Sequence, residues 1–200
     1  MQWETFAPLA EIPFIFHAFS LRTDANTKAD DFPRQALLTL DYKSFASAEQ
    51  PHGNNIAIAT HPGIFPGVDA LITGQPGLPL VIRCADCAAV YIIDRRTPAI
   101  GLIHSGKKGT LTNVTANTVT AMRDFLGTKP GDCAAFISPC IGPCHYEMDI
   151  RSEIEKQLDT AGIKEIHNSP VCTACHLDRY FSYRAEKGQT GRMLAVLSLR

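Results

Sequence analysis

Apolar residues in this sequence cluster in runs separated by short polar turns, a pattern that predicts a protein rich in buried strands. The longest run, residues 78–94, is interrupted only by Arg83 and by the segment 84–87, which predicts two buried strand pieces that meet at a kink. Five other segments have the aromatic, β-branched or alternating composition of strands: residues 13–22, 54–60, 99–104, 133–139 and 193–199.

Two segments have the spacing of amphipathic helices. In residues 110–125 the apolar positions recur every three or four residues, and Gly127 is a suitable C-terminal cap. These positions are Leu111, Val114, Thr118, Met122 and Phe125. Asp149 is placed to cap a second helix that ends at Gly162. The residues predicted to be buried on this helix lie four apart: Ile150, Ile154 and Leu158.

The predicted strands outnumber the helices and do not alternate with them regularly. The fold class is therefore predicted to be α+β rather than a doubly wound parallel sheet. The sequence contains no internal repeat, low-complexity run or long linker, so residues 1–200 are predicted to form a single domain. Apolar residues make up 45% and charged residues 20% of the chain, which is ordinary for a globular protein with its own core.

The formal net charge is −1, so the chain as a whole has no strong field to attract nucleic acid or a membrane surface. The N-terminal residues lack the positive region and apolar run of a secretory signal. No stretch approaches the roughly 20 apolar residues that span a bilayer. We therefore expect a cytoplasmic protein that binds small molecules rather than nucleic acid or a membrane. We also expect the chain to be a monomer or a weak homodimer.

Two histidines and one cysteine lie where predicted strands meet loops, which are common positions for functional sites. His52 precedes one strand, Cys87 lies in the kink after another, and His104 ends a third. Two imidazoles and one thiolate suit zinc, and a fourth position left for water is the catalytic pattern rather than the structural one. From the residues alone, however, a core cysteine and hydrogen-bonded surface histidines remain the commoner interpretation.

Seven cysteines in a chain without a predicted secretion signal more often serve as metal ligands, nucleophiles or core residues than as disulfides. Two Cys-x-x-Cys pairs form an alternative, a structural zinc ribbon made of Cys84, Cys87, Cys172 and Cys175. The pairs are far apart in the sequence, so the ribbon is less favoured than the catalytic site. Cys140, Cys144 and His145 lie on a Pro/Gly loop and are interpreted as supporting or structural residues rather than metal ligands.

Six ordered groups of residues resemble the motifs of the laccase-domain family, also called multicopper polyphenol oxidoreductases. They are EQPHG at 49–53, VDALIT at 68–73 with ADC at 85–87, HSGKKGT at 104–110, IGPCHYE at 141–147, CT at 172–173, and FSYR at 181–184 with TGR at 190–192. The corresponding family motifs are Q-x-H-G, D-A-L-x-T with A-D-C, H-A-G-W-R-G-T, I-G-P-C-C-Y-E, and the closing C-T, F-S-Y-R and T-G-R. On these motifs the chain is identified as a shortened, divergent member.

The resemblance implies a four-layer α/β/β/α fold with mixed sheets and a catalytic metal bound by His52, Cys87 and His104. It also implies purine nucleoside chemistry: phosphorolysis of adenosine, inosine or methylthioadenosine, and deamination of adenosine. Zinc is the expected metal. Copper is less favoured because a laccase needs several coppers, and so more histidines than the seven in this chain can readily supply.

Phosphorolysis needs cations where phosphate binds, and the resemblance makes Arg22 and Arg184 candidates for substrate or phosphate contacts. Lys107 and Lys108 follow a predicted ligand on a glycine loop that opens a helix, where backbone N–H groups favour anions. They replace the family's usual Trp-Arg, and a lysine binds phosphate as a point charge without the bidentate fork of arginine. Asp86 is a candidate general base or an orienter of a ligand, and a carboxylate that only accepts backbone N–H bonds is an equally good interpretation.

Two departures from the family pattern leave other functions open. The chain is shortened between Arg22 and Gln50 and again between Ile150 and Cys172, which trims segments predicted to surround the site. One alternative is a cysteine hydrolase or amidase with Cys87 as nucleophile and His104 as base. Others are a copper-dependent polyphenol oxidase and a homologue that binds metal without catalysis.

Overall fold

Most strands of this protein are short, and at several places the chain passes from a strand in one sheet to a strand in the other. The computed structural model describes residues 1–23 and 32–200. The strands are β1 Trp3–Glu4, β2 Ile15–Ser20, β3 Ala46–Ala48, β4 Ile56–Ile58, β5 Gly63–Phe65, β6 Ala70–Thr73, β7 Leu80–Cys84, β8 Ala88–Asp94, β9 Ala99–Ser105, β10 Cys133–Ile137, β11 Glu165–Asn168 and β12 Met193–Leu199. The helices are α1 Ala7–Ala10, α2 Phe32–Leu38, α3 Lys107–Leu111, α4 Val114–Leu126 and α5 Ile150–Thr160.

The strands pair into two six-stranded sheets, and both sheets are mixed. Sheet I has the order β1-β2-β12-β7-β3-β5, with β3 parallel to both of its neighbours and the other pairs antiparallel. Sheet II has the order β11-β10-β8-β9-β6-β4, with parallel pairs only at its two ends. The predicted mixed sheets are confirmed.

Sheet I and sheet II pack face to face, and each is also covered on its outer face. In β12, Met193, Ala195 and Leu197 belong to the core between the sheets, which also contains Tyr91 of β8. The alternate residues of β12 pack with α2 instead, in a cluster that contains Leu194, Val196, Ala36 and Leu37. Because successive side chains of a strand point to opposite faces, a strand covered on both faces is apolar at nearly every position. This explains the long apolar runs of the sequence.

The helices complete a four-layer arrangement. Helix α2 covers the outer face of sheet I, and α4 and α5 cover the outer face of sheet II through Val119, Met122, Ile154 and Leu158. The predicted α+β class and the four-layer α/β/β/α arrangement are therefore confirmed. Within residues 1–23 and 32–200, no helix combines the length and the apolar character that crossing a membrane requires.

The predicted kink is one of the places where the chain passes from one sheet to the other. The run 78–94 forms β7 in sheet I and β8 in sheet II, so residues 85–87 make the crossing. The loop 49–55, earlier in the chain, also crosses, from β3 in sheet I to β4 in sheet II. We call loop 49–55 the first crossing and residues 85–87 the second. These two crossings bring loop residues together at the junction of the sheets.

One helix prediction is wrong in its extent. The segment 110–125 is divided between α3 and α4 because Asn113 adopts a left-handed conformation, with φ of 62°. Leu111 and Phe125, predicted to face the core, are 63% and 68% exposed. Gly127 does end α4 in a left-handed conformation, as predicted. The shortened segment between Arg22 and Gln50 includes residues 24–31, which lie outside the described residues.

The second predicted helix is confirmed as α5. The Asp149 side chain accepts hydrogen bonds from the Ser152 backbone N–H at 3.2 Å and from the Ser152 hydroxyl at 2.7 Å. These bonds satisfy one of the N–H groups that a helix leaves without a partner at its start. Ile150, Ile154 and Leu158 are at most 2% exposed and carry the packing of α5 on sheet II.

Replacing Asp149 with alanine should lower the free energy of unfolding by about 1 kcal/mol, because the helix loses its N-terminal cap. Asp149→Asn is the matched control, since asparagine caps helices as well as aspartate does. Hydrogen bonds from Ser152 lower the pKa of Asp149. The stability that the charge contributes is therefore present above the ordinary pKa of an aspartate and is lost as the pH falls through the lowered value. Denaturant unfolding at neutral and acidic pH measures both effects, and equal stability of the three proteins at neutral pH would contradict the assignment.

Candidate metal centre

The structure brings His52, Cys87 and His104 together at the junction of the two sheets. His52 lies on the first crossing loop, Cys87 on the second, and His104 near the end of β9. One nitrogen or sulfur atom of each residue lies within 4.8 Å of the other two. The two imidazole rings meet edge to face, with their centroids 4.8 Å apart. The three predicted ligands are thus close enough to share one ion.

Asp69, immediately before β6, holds both histidines in place. Its fully buried carboxylate accepts the Nδ1–H of His104 at 2.8 Å and the backbone N–H groups of His52 and Gly53 at 3.0 and 2.6 Å. Its backbone carbonyl also accepts the N–H of His104 at 2.8 Å. Donation from Nδ1 fixes the tautomer of His104 and leaves Nε2 as the ring atom with a free lone pair.

The protonation of the centre follows from burial. Burial lowers the pKa of His104, and the nearby His52 ring lowers it further, although the Asp69 hydrogen bond acts in the opposite direction. A neutral imidazole is the form that binds metals. Burial, reinforced by Asp86, raises the pKa of the Cys87 thiol to about 12. Without a cation at this point, Cys87 therefore stays a neutral thiol at physiological pH.

Two local backbone features allow the three side chains to approach one another. His52 has a left-handed conformation with φ of 65°, and Gln50 beside it has φ of 71°. The Gln50 side chain is anchored to β7, since it donates to the Arg83 carbonyl at 2.6 Å and accepts the Arg83 N–H at 2.9 Å. A Cβ atom at Gly106 would lie 2.6 Å from Cys87 Sγ, so only glycine lets the chain after β9 pass this closely.

The donor set fits a zinc ion with one coordination position open. Two imidazole nitrogens and one sulfur make a three-ligand set of the kind found in catalytic zinc sites, where the fourth position belongs to water or substrate. His104 is buried, Cys87 is partly buried and His52 is exposed, so the group faces outward on one side. All three residues also line a large cavity, which gives a ligand access to the open position.

The cavity has a volume of about 1620 Å³ and a strongly cationic wall. Its seven lysine and arginine residues are Arg22, Arg83, Lys107, Lys108, Arg184, Lys187 and Arg192. Three acidic residues also line it: Glu49, Asp86 and Glu186. A concave, predominantly cationic surface attracts anionic ligands and concentrates them at the site.

The structure places all four predicted phosphate-binding cations on this wall. Arg22 pairs with Glu186 at 2.7 Å and lies over the Phe181 ring, 4.7 Å from its centroid. Arg184 lies 4.8 Å from the centroid of the Tyr146 ring.

A single carboxylate connects two of these cations. Lys107 pairs with Glu147 Oε1 at 2.9 Å, and Arg184 pairs with Glu147 Oε2 at 3.2 Å. Lys108 lies beside them at the cavity wall and is exposed. Helix α3, which these lysines open, has only five residues, so the side-chain charges matter more here than the helix dipole does.

Asp86 lies in the cavity wall next to Cys87, but both of its carboxylate oxygens are occupied. Oδ1 accepts the Thr173 hydroxyl at 2.8 Å, and Oδ2 accepts the Arg184 backbone N–H at 2.8 Å. A carboxylate held on both oxygens is less suited to act as a general base than to fix the loops around the site. Among the three interpretations weighed for Asp86, the arrangement favours the structural one, a carboxylate that holds neighbouring loops by accepting a backbone N–H and a hydroxyl.

Two groups around the centre were not singled out from the sequence. Asp69 lies inside the D-A-L-x-T motif, so the motif contained the signal, but nothing in its spacing links it to His52 and His104. Gly106 lies inside the H-x-G motif. The need for glycine at this position becomes evident only from the structure, in which Cys87 Sγ lies against it. Arg83 was likewise not predicted as part of a site, although it lines the cavity. Arg192, which belongs to the T-G-R motif and was weighed as either a substrate contact or a structural ion pair, also lines the cavity.

The predicted zinc-ribbon alternative is wrong. Cys87 groups with the two histidines, and Cys84 is buried at the end of β7. Cys172 and Cys175 lie in a separate group with Cys144 and His145. The two Cys-x-x-Cys pairs therefore do not meet, because the first belongs to the crossing between the sheets and the second to a loop after β11.

Comparisons with known proteins agree with this architecture. The structure resembles that of YlmD from Geobacillus stearothermophilus with a TM-score of 0.89, at 24% identity and over 94% of this chain and 93% of the other. It resembles Bacillus licheniformis hypothetical protein YfiH with a TM-score of 0.86, at 22% identity and over 93% of each chain. These similarities establish the fold.

Sequence comparison identifies the family. Purine nucleoside phosphorylase YlmD of Geobacillus stearothermophilus is 26% identical over 98% of this chain and 86% of its own length. The purine nucleoside phosphorylase of Deinococcus radiodurans is 31% identical over 82% of this chain and 74% of its own length. The family model for the multi-copper polyphenol oxidoreductase laccase matches residues 23–153 and 146–200. The chain therefore belongs to the multi-copper polyphenol oxidoreductase laccase family.

Proposed function

We propose that this protein is a zinc-dependent purine nucleoside phosphorylase that also deaminates adenosine. The observation that carries the proposal is the His52, Cys87 and His104 group at the wall of a cavity rich in lysine and arginine. The names of the relatives support it, since they are called purine nucleoside phosphorylases. The substrates would be adenosine, inosine or methylthioadenosine, together with inorganic phosphate.

Phosphorolysis requires a site for a dianion next to a site for a nucleoside. A phosphate oxygen attacks C1′ of the ribose, the bond from C1′ to N9 breaks, and the departing purine takes up a proton. The products are the free base and the 1-phosphate of the sugar, which is ribose 1-phosphate for adenosine and inosine. The cations of the cavity wall supply charge to hold the phosphate and to stabilise the negative charge that moves during the transfer.

The residues of the chain would hold the metal and orient its ligands. His52, Cys87 and His104 would bind zinc, which when present supplies Lewis acidity and activates water near neutral pH. Asp69 keeps Nε2 of His104 available by accepting its Nδ1–H. Asp86 holds the loop that carries Cys87 by accepting from Thr173 and Arg184. Deamination of adenosine would add water at C6 of the purine and release ammonia.

The arrangement gives less support to a cysteine hydrolase. A nucleophilic cysteine needs a lowered pKa or a base that takes its proton. Burial raises the pKa of Cys87 instead. Burial lowers the pKa of His104, the candidate base, and this makes it a weaker acceptor for the proton of the thiol. A copper-dependent phenol oxidase is less supported because the other His/Cys group among the described residues has three cysteines and one histidine, unlike the histidine-rich sites of a multicopper centre.

The decisive experiment incubates the purified protein with adenosine, with and without inorganic phosphate, and measures adenine, hypoxanthine, ribose 1-phosphate and inosine. Adenine and hypoxanthine that form only with phosphate, and whose sum equals the ribose 1-phosphate, indicate phosphorolysis; inosine and hypoxanthine indicate deamination. Both should disappear on chelation and return with zinc. Free ribose without phosphate would indicate a hydrolase instead, and no product from the zinc-loaded protein would overturn the proposal in favour of a non-catalytic metal-binding homologue.

Replacing Asp69 with asparagine should weaken metal binding by about 10- to 100-fold, the usual loss when a hydrogen-bond partner of a ligating histidine is removed. Asparagine has one carbonyl oxygen and an NH2 group, so it cannot accept from His104 and from the backbone of both His52 and Gly53. Competition with a chelating dye measures the affinity, and phosphorolysis at limiting zinc should fall in parallel.

Asp94→Asn is the matched control for that variant. Asp94 is also a buried carboxylate that accepts two backbone N–H groups, those of Arg96 and Thr97, but it lies at the end of β8, before the turn to β9. It should leave zinc affinity unaltered, because the carbonyl oxygen of asparagine can still accept both N–H groups. Equal zinc affinity of the Asp69 and Asp94 variants would contradict the role assigned to Asp69.

Replacing Lys107 and Lys108 together with glutamine should raise KM for phosphate by about tenfold, the scale of a lost hydrogen bond to a charged group. KM for adenosine should stay within about twofold, because the purine and ribose carry no charge for these lysines to bind. Lys156→Gln is a matched control, since Lys156 is an exposed lysine paired with Glu153 on α5. Steady-state kinetics with each substrate varied in turn make the test, and equal increases in both KM values would argue against phosphate binding at these residues.

A further inference from the structure

A second group of metal-binding side chains lies apart from the candidate centre. Cys144 and His145 are on the loop after β10, and Cys172 and Cys175 are on the loop after β11. One ligand atom from each of the four residues lies within 4.8 Å of the other three. This group, which we name the Cys3His cluster, contains none of the residues His52, Cys87 and His104.

Four of the six ligand-to-ligand distances in the Cys3His cluster are close to the edges of a tetrahedron around zinc. With bonds of about 2.3 Å to sulfur and about 2.0 Å to nitrogen, such a tetrahedron has edges of about 3.8 Å between sulfurs and about 3.5 Å between sulfur and nitrogen. Cys144 Sγ and Cys175 Sγ are 3.6 Å apart. Nδ1 of His145 lies 3.3, 3.5 and 3.9 Å from the sulfurs of Cys144, Cys175 and Cys172. All three contacts of His145 involve the same ring nitrogen, as a single bond from His145 to a central ion requires.

The backbone holds the two loops of the cluster in register. A parallel bridge joins Cys140 to Cys172, and the Thr173 N–H donates to the Cys140 carbonyl at 3.1 Å. The Gly142 N–H donates to Cys172 Sγ at 3.2 Å. Backbone N–H groups that point at a cysteine sulfur stabilise its negative charge, which a metal-bound thiolate retains.

The cysteines of the cluster are not joined as disulfides. All seven cysteines of the chain are free, and Cys144 and Cys175 are exposed. A disulfide has a sulfur separation of about 2.0 Å, well below the 3.6 Å between these two sulfurs. Three thiols and an imidazole that converge without a covalent bond form the Cys3His donor set of structural zinc sites.

We propose that Cys144, His145, Cys172 and Cys175 bind a second zinc ion in a closed, four-ligand structural site. Four protein ligands leave no position for water or substrate, which distinguishes this site from the three-ligand centre at the cavity. The proposal reverses the interpretation of Cys144 and His145 from the sequence, where they were not taken as ligands.

The position of the Cys3His cluster suggests what the second ion does. The loop that carries Cys144 is attached to Asp86 through the Ile141 N–H, which donates to the Asp86 carbonyl at 2.9 Å. The loop that carries Cys172 is attached to the same residue through the Thr173 hydroxyl, which donates to its carboxylate at 2.8 Å. A metal that clamps the two loops together would therefore steady the crossing 85–87 and, with it, Cys87.

Metal analysis of the purified protein and its variants tests the proposal. The unaltered protein should contain two equivalents of zinc per chain, Cys87→Ala one, Cys175→Ser one, and the double variant none. Cys133→Ser is the matched control, since Cys133 is a free cysteine of β10 outside both groups, and it should keep two. Cys175→Ser should also lower the melting temperature, because a structural zinc ion contributes to folding.

A second measurement avoids any dependence on the folding of Cys175→Ser. The Cys87→Ala variant, loaded with cobalt in place of zinc, should show the near-ultraviolet thiolate-to-cobalt charge-transfer bands and strong visible bands of a tetrahedral site with three thiolates. Mass spectrometry after digestion without reductant tests for a disulfide between Cys144 and Cys175.

The outcomes separate this proposal from the proposed function. Absence of the three-thiolate spectrum, an unchanged zinc content in Cys175→Ser, or a Cys144 to Cys175 disulfide in the freshly purified protein would each overturn the second site. Loss of one zinc in Cys175→Ser but none in Cys87→Ala would support the second site while removing the metal from the proposed catalytic centre. Iron in place of zinc at the cluster would overturn the choice of metal.

Discussion

The hydrogen bonds to the buried carboxylate of Asp69 are the interaction on which the site depends. A charged group without exposure to water is costly unless it is fully paired, and Asp69 is paired with one imidazole and two backbone N–H groups. The same bonds join three segments that are distant in the sequence: the start of β6, the crossing loop with His52, and β9 with His104. Loss of the carboxylate would leave these donors unsatisfied, the His104 imidazole free to turn and the backbone of His52 unanchored.

Asp86 has a corresponding role on the other side of Cys87. Asp69 fixes the two histidine ligands, whereas Asp86 fixes the second crossing between the sheets through Thr173 and Arg184. The two crossings are where the strands of both sheets end and polar loops meet, so the candidate centre lies between a rigid core and an open cavity. This explains how a fold with a largely apolar interior presents two imidazoles, a thiol and several cations in one place.

The parts of the fold that could be predicted are those in which local sequence and burial agree. The strands β8, β9 and β12 are apolar throughout because both faces are covered, and they were predicted within a residue or two of their bounds. The extent of α4 was predicted wrongly because periodicity does not reveal the left-handed break at Asn113. Leu111, the last residue of α3, and Phe125, near the end of α4, fit the apolar period but are exposed.

The candidate site was predictable only in part, for a related reason. The resemblance to a family, and not the residues taken one at a time, grouped His52, Cys87 and His104. The Cys3His cluster was missed because its two pairs come from loops about 30 residues apart, and only the parallel pairing of β10 with β11 brings these loops together. Sequence spacing predicts ligand sets when they lie on one local motif, and it fails when tertiary pairing assembles them.

The ion pairs of the cavity wall explain how so many cations can lie together before a substrate arrives. Glu147 pairs with both Lys107 and Arg184, and Glu186 pairs with Arg22, so carboxylates offset the repulsion among these cations. If phosphate binds here, its oxygens must replace glutamate carboxylates as the partners of these cations. The free energy gained is then only the difference between the new ion pair and the one it replaces. Lys108 forms no ion pair within the described part of the chain, so phosphate would not have to displace a carboxylate from it. Under the proposed function, the replacement of the family's Trp-Arg by two lysines therefore exchanges a rigid bidentate contact for mobile point charges that can follow a substrate into the cavity.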